Sequence, residues 1–230
     1  MIIAISGKLA SGKDTAADII IERYPFFIKK SFAYQVKSIV ADITNTSIND
    51  NLTREGKNII PKLNTTNYNK LLNIIENTYN VYGSVYNITI NEIYLKIHHI
   101  FDPIFVANDK SLGELQQIIS TLFKDIFSPN IWIDYLFNDF KSTDFWIISD
   151  LRFPNEADFL LHLNSLIIRL NGDPANIRSL NLDKRNSNHS SEIALDNYPF
   201  TFVINNDKSI SHLYFSIFSI LRSYNPYIFS

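Results

Sequence analysis

The N-terminal segment MIIAISGKLASGKDT carries the plainest chemistry in this chain: Gly7, Gly12 and Lys13 stand in the G-x-x-x-x-G-K spacing of a phosphate-binding loop. Glycines there let the backbone turn so that successive N–H groups face a polyphosphate, and the lysine ammonium reaches its outer oxygens. Ala10, Ser11 and Thr15 complete the candidate nucleotide cradle. Such a loop normally closes with Ser or Thr, whose hydroxyl holds Mg²⁺, whereas position 14 is Asp. A carboxylate at that place can hold Mg²⁺ directly or through water, or accept a proton from a substrate. It is also favourable in the first turn of any helix, whatever the loop binds.

A second constellation lies in FWIISDLRFPNEAD. Asp150 follows a hydrophobic strand, the position from which a Walker B carboxylate orients Mg²⁺. Arg152 and Glu156 come just beyond it, at the carboxyl edge where open α/β sheets bind their ligands. A third is the basic loop at 171–190, with Arg178, Lys184, Arg185 and His189. Such a loop can close like a lid over a transferring phosphoryl group and exclude water, or it can be a solvated surface loop. The five histidines are scattered and form no metal set.

These residues need elements to hold them. MIIAIS is a continuous apolar run ending at glycine, as in a strand buried on both faces of a parallel sheet. DTAADIIIERY follows with Ala17, Ile20, Ile21 and Tyr24 at helical spacing, so strand, glycine loop and helix come in the order a phosphate loop requires. FFIKKSF reads as a second strand, and AYQVKSIVADI as a helix with Val36, Ile39, Val40 and Ile43 on one face. From 45 to 108 the pattern weakens into an Asn/Thr-rich stretch that reads as an insertion, with YNKLLNIIENTY helical and SVYNITI extended. Ser111 and Glu114 form a capping box ahead of a helix, and Ser128-Pro129 starts another through NIWIDYLFNDF. The last third alternates DFWIISD, SLIIRL and TFVINN as strands with PNEADFLLHL and SISHLYFSIFSILRSY as helices. That alternation predicts a three-layer α/β/α fold on a parallel sheet. The whole reads as one domain over 1–230, with 45–108 as an insertion that binds substrate and 171–190 as a lid.

Bulk properties narrow the function further. With 46% hydrophobic and 13% aromatic residues in 230, the chain can build a substantial core. It has no cysteine, which excludes disulfides and thiolate chemistry. A net charge of -2 argues against a general polyanion binder, so no direct nucleic-acid partner is expected. No run reaches the roughly 18 apolar residues of a membrane span. The expected setting is the cytosol.

The blocks above resemble a family. SGKLASGKDTAAD is similar to the phosphate loop of the bacteriophage-type deoxynucleoside monophosphate kinases, where G-K-D-T is the usual ending. SLGELQQIISTLFKDIFSPNIWIDYL resembles that family's helix pair, WIISDLRFPNEADFL its Asp-x-Arg strand end, and HSSEIALDNYPFTFVINNDKSISHL its closing His-x-x-Glu, strand and Asn-Asp turn. The resemblance implies a P-loop nucleoside-monophosphate-kinase fold that transfers the ATP γ-phosphoryl group to a deoxynucleoside monophosphate with Mg²⁺. It places Lys13, Asp14 and Thr15 on the phosphates and metal, with Asp14 and Asp150 as the metal carboxylates. Lys37 approaches the acceptor, and Asp150, Arg152 and Glu156 serve the acceptor or metal side. It also implies a homodimer.

The chain departs from the family at two positions. Gly113 stands where an Arg is usual in the first helix of the pair, and Lys124 at a second commonly basic position. Lys lacks the planar fork that grips a phosphate with two hydrogen bonds. Arg54, Arg152, Arg178 and Arg185 are the candidates to compensate. Two other readings stand beside the kinase: a phosphomevalonate-type small-molecule kinase, whose loop is similar, and a P-loop module that binds nucleotide within a larger assembly. A GTPase is disfavoured, because NNDK at 205–208 lacks the N-K-x-D order of a guanine reader.

Overall fold

A computed structural model describes residues 1–53, 55–176 and 193–230. The chain forms two compact units, Met1–Phe32 with Asn138–Ser230, and Ala33–Phe137.

The first unit is built on five strands: β1 (Ile2–Gly7), β2 (Ile28–Lys30), β3 (Trp146–Leu151), β4 (Leu166–Asn171) and β5 (Phe202–Asn205). They lie in the order β2-β3-β1-β4-β5, and every neighbouring pair is parallel. β1 runs down the middle because its run Ile2 to Ser6 is buried on both faces. Helix α1 (Lys13–Arg23) follows β1 directly. It buries Ala16, Ala17, Ile20 and the following Tyr24, while Ile21 is only half-buried.

The chain passes to β4 on the other side of β1 only after β3, so β1 and its neighbours form the topological switch point. The β1–β3 register also changes there: Ala4 faces Ile148, yet Ser6 faces Leu151. β3 therefore carries one extra residue across Ser149 and Asp150, a bulge of the kind that re-aims side chains beside active sites.

Between β2 and β3 in the sequence lies the second unit, whose helices are α2 (Tyr34–Thr44), α3 (Ile48–Leu52), α4 (Thr65–Tyr86), α5 (Ile90–Ala107), α6 (Leu112–Ile126) and α7 (Ile131–Phe137). Here the sequence reading needs correction. The stretch 45–108 is not poor in structure, and SVYNITI is not extended: its first half completes α4, Asn87 turns the chain, and Thr89 caps α5. Leu71 and Ile75 on α4, with Ile93, Ile97, Phe101 and Ile104 on α5, share one core with α2 and α6. Burying those stripes overrides the strand preference of the β-branched residues near Tyr86.

The polar residues that blurred the pattern have a structural job. Asn45, Asn87 and Asn108 each end a helix in the left-handed region, with φ of 54°, 53° and 53°. Asn is the residue besides Gly that adopts this conformation most readily, and the chain has only six glycines.

Among the described residues the first unit also holds α8 (Pro154–His162) after β3 and α9 (Ile210–Tyr224) after β5. α1 and α9 pack Ile20, Ile217 and Leu221 against Ile3, Ile5, Ile168 and Ile204 of the sheet.

Replacing Asn87 with Ala should destabilise the protein by about 1 kcal/mol, while Asn87→Gly should stay within about 0.5 kcal/mol of the parent. Denaturant unfolding measures both, and equal losses would contradict the left-handed cap.

Candidate active site

The loop between Gly7 and Lys13 is built from backbone rather than side chains. Ala10 (φ 59°) and Gly12 (φ 93°) both adopt the left-handed conformation, the alternation that makes a concave nest of N–H groups. Ala10 does so at a steric cost, the kind of strain that collects at functional sites. A Cβ at Gly12 would lie 2.4 Å from the Asn206 side-chain nitrogen, and one at Gly7 would lie 2.3 Å from Ser11 Oγ and 2.5 Å from the Leu170 carbonyl. Neither position accepts another residue without moving the loop.

Lys13 is buried at 8% exposure, and its Nζ donates to the carbonyls of Gly7 and Lys8, both at 2.7 Å. Ser11 is fully enclosed, and among the described residues its Oγ meets no hydrogen-bond partner. An enclosed ammonium, an orphan hydroxyl and a nest of N–H groups at a helix start fit a polyphosphate.

Asp14 opens toward solvent, its side chain 77% exposed. Its Oδ1 accepts from Ser149 Oγ at 2.9 Å and lies 3.2 Å from Lys29 Nζ, which also pairs with Asp18 at 2.9 Å. Partial desolvation acts to raise its pKa, but the Ser149 hydroxyl, then Lys29 and Lys13, outweigh it and hold Asp14 below the ordinary carboxylate value. Asp14 is therefore ionised at neutral pH.

Asp150, half-buried on the same bulge, accepts from Ser31 Oγ at 2.7 Å and from the Phe32 N–H at 3.0 Å, tying the end of β2 to β3. Glu156 is buried at 4% exposure and accepts the backbone N–H groups of Arg152 and Phe153 at 2.9 and 3.1 Å, which anchors the start of α8. Arg152 is half-buried beside it.

Among the described residues no three or more acidic or histidine side chains gather to hold a metal by themselves. Mg²⁺ fits such a site, because it is commonly held by one or two carboxylates together with substrate phosphates and water.

The other anticipated residues are distributed as follows. Thr15 is exposed in the first turn of α1. Lys37 on α2 and Lys124 in the last turn of α6 are half-buried in the second unit. Gly113 lies in that unit too, where a Cβ would meet the Lys57 carbonyl at 3.3 Å, so the chain packs closely at this position. Arg54, Arg178, Lys184, Arg185 and His189 lie outside the described residues.

Several contributors escaped the sequence reading. Ser149, Lys29 and Ser31 have no motif of their own, and Asn206 falls in the Asn-Asp turn quoted above without a role assigned to it. Lys8, inside the loop, pairs with Asp196 at 2.7 Å, and Asp196 also pairs with Arg169 at 3.0 Å. Arg169 donates to Ser6 Oγ at 3.0 Å and lies over the Phe200 ring. Arg169 did leave a signal: an arginine inside SLIIRL, a strand otherwise apolar, must find a partner when buried.

A parallel sheet in this strand order, with a glycine loop and buried lysine at the end of its central strand, defines a P-loop kinase-like α/β fold. Within that class, the family model for deoxynucleotide monophosphate kinase matches residues 1–217, and the chain belongs to that family. Membership implies a kinase that acts on deoxynucleotide monophosphates. No curated protein matches the chain significantly. Among the described residues no helix is long and apolar enough to cross a membrane.

Removing the Ser149 hydroxyl in Ser149→Ala should raise the Asp14 pKa toward the ordinary carboxylate value, followed by the pH titration of its carboxyl ¹³C shift. An unmoved midpoint would show that Lys29 and Lys13 alone set the charge. Gly12→Ala should lower the melting temperature by several degrees, and an unchanged melting temperature would contradict the close approach of Asn206.

Proposed function

We propose that this protein transfers the γ-phosphoryl group of ATP to a deoxynucleoside monophosphate, yielding ADP and the deoxynucleoside diphosphate. The observation that carries this reading is Lys13: an ammonium buried at the mouth of a backbone nest, donating to the carbonyls of Gly7 and Lys8. Anionic phosphate oxygens compete well against such acceptors, since hydrogen bonds between charged groups are roughly twice as strong as neutral ones.

Phosphoryl transfer asks the protein mainly for position and charge neutralisation. The nest of Gly7 to Thr15 fixes the phosphate chain, and Lys13 offsets negative charge on its outer oxygens. Ser11 Oγ supplies a further donor from inside the loop. Asp14 and Asp150 would hold Mg²⁺, which when bound neutralises the phosphate oxygens next to the transferred group. Lys29 keeps the ionised Asp14 compensated, and Glu156 fixes the backbone from which Arg152 extends toward the acceptor phosphate. We assign residues 171–190 to a lid over the transferring group and 45–108 to acceptor selection.

ATP presented with each deoxynucleoside and nucleoside monophosphate in turn, with ADP release as the readout, tests the reading. Turnover with one or more deoxynucleoside monophosphates is expected, and Lys13→Ala should lower kcat by roughly 10²-fold or more. Turnover with phosphomevalonate alone would reassign the acceptor. Nucleotide binding without turnover on any acceptor would point instead to a P-loop module of a larger assembly.

A further inference from the structure

Asn206 is the first residue after β5, far from the phosphate loop in sequence and against it in space. Its backbone N–H donates to the Asn171 carbonyl at 2.7 Å, which extends the β4–β5 pairing by one residue and fixes where the side chain projects. That side chain is buried, the residue being 5% exposed, and its Nδ2 donates to the Ser11 carbonyl at 3.0 Å.

Two glycines mark how tightly it is wedged. The Cβ that Gly12 lacks would lie 2.4 Å from Asn206 Nδ2, and the one that Gly172 lacks would lie 2.3 Å from the Asn206 carbonyl oxygen. Both glycines also have positive φ, 93° and 119°. The loop and the β4 end have given up side chains where Asn206 lies.

We propose that Asn206 is a positioning residue for the phosphate loop, acting through the orientation of the Ser11–Gly12 peptide; this rests on the kinase reading of that loop. In a planar trans peptide the carbonyl and the following N–H point to opposite sides. The chain has no cis peptide bond among its described residues. Holding the Ser11 carbonyl toward Asn206 therefore aims the Gly12 N–H the other way, away from the β5 turn. That N–H is a donor of the nest, and it is set in place before nucleotide arrives. An apolar residue at 206 would leave the carbonyl unpaired and the peptide free to rotate. An aspartate would set a carboxylate against the same carbonyl and add negative charge beside the phosphates.

The test compares Asn206→Leu, of similar volume but without a donor, and Asn206→Asp, of the same shape with the donor replaced by charge. Titration calorimetry gives ATP affinity without acceptor, steady-state assays give KM for each substrate, and thermal melting without nucleotide gives stability. ATP affinity should fall roughly tenfold in Asn206→Leu and further in Asn206→Asp, as expected when a buried acceptor loses its donor. The KM for the acceptor should stay within about twofold, since the contact sets only the ATP-binding nest. The nucleotide-free melting temperature should fall by roughly 2–8 °C, the cost of an unpaired buried carbonyl in a domain of this size, while the protein stays folded at assay temperature.

ATP affinity within twofold of the parent in both variants would overturn the role of Asn206 and leave the kinase reading standing. Loss of fold in both variants, or equal losses for both substrates that track the melting temperature, would make the contact structural and also overturn it. Failure of the parent itself to bind ATP would overturn the kinase reading, and this proposal with it.

Discussion

A phosphate loop works only if several N–H groups point into one small volume while their carbonyls point out, and a polypeptide resists that arrangement. Left-handed angles at Ala10 and Gly12, and the missing side chains at Gly7 and Gly12, meet the requirement here. The outward carbonyls still need partners. Lys13 takes those of Gly7 and Lys8, and Asn206 takes that of Ser11. The sheet order follows from the same constraint, because the end of β4 and the turn after β5 must sit against a loop that leaves the central strand. Lys8 extends the connection outward through Asp196 to the buried Arg169.

On the other side of the loop the decisive feature is charge. The bulge in β3 brings Ser149 to Asp14 and Asp150 to the Ser31–Phe32 segment, so two adjacent residues of one strand serve two different elements. Asp14 remains exposed but ionised, with Lys29 and the Ser149 hydroxyl as its counterweights. Asp in place of the usual Ser or Thr thus leaves the loop with a carboxylate, a stronger ligand than a hydroxyl for a hard cation.

Much of this was legible in the sequence, and the reasons differ by region. The order strand, glycine loop, helix over residues 2–23 is specific because each part has a distinct signature. The buried strands β3 and β4 announce themselves as apolar runs separated by a helix. Residues 45–108 misled for a physical reason: Asn serves there as the left-handed helix terminator that Gly supplies in most proteins, so punctuation looked like low-grade loop composition. The TINE sequence at 89–92 was a capping box in plain sight, obscured by the strand-forming residues before it. The contacts of Ser149, Lys29 and Asn206 were not legible, even with Asn206 inside the Asn-Asp turn block, because they come from a register change or from segments distant in sequence. Family membership supplies what geometry alone does not, the class of acceptor.

The central claim is that residues 7–15 receive the phosphates of ATP, and backbone amide NMR tests it most directly. ATP titrated into the ¹⁵N-labelled protein without acceptor should shift the amides of Leu9 to Thr15 most strongly, with Asn206 following. Saturable ATP binding that leaves those amides unmoved and shifts another region would contradict the account.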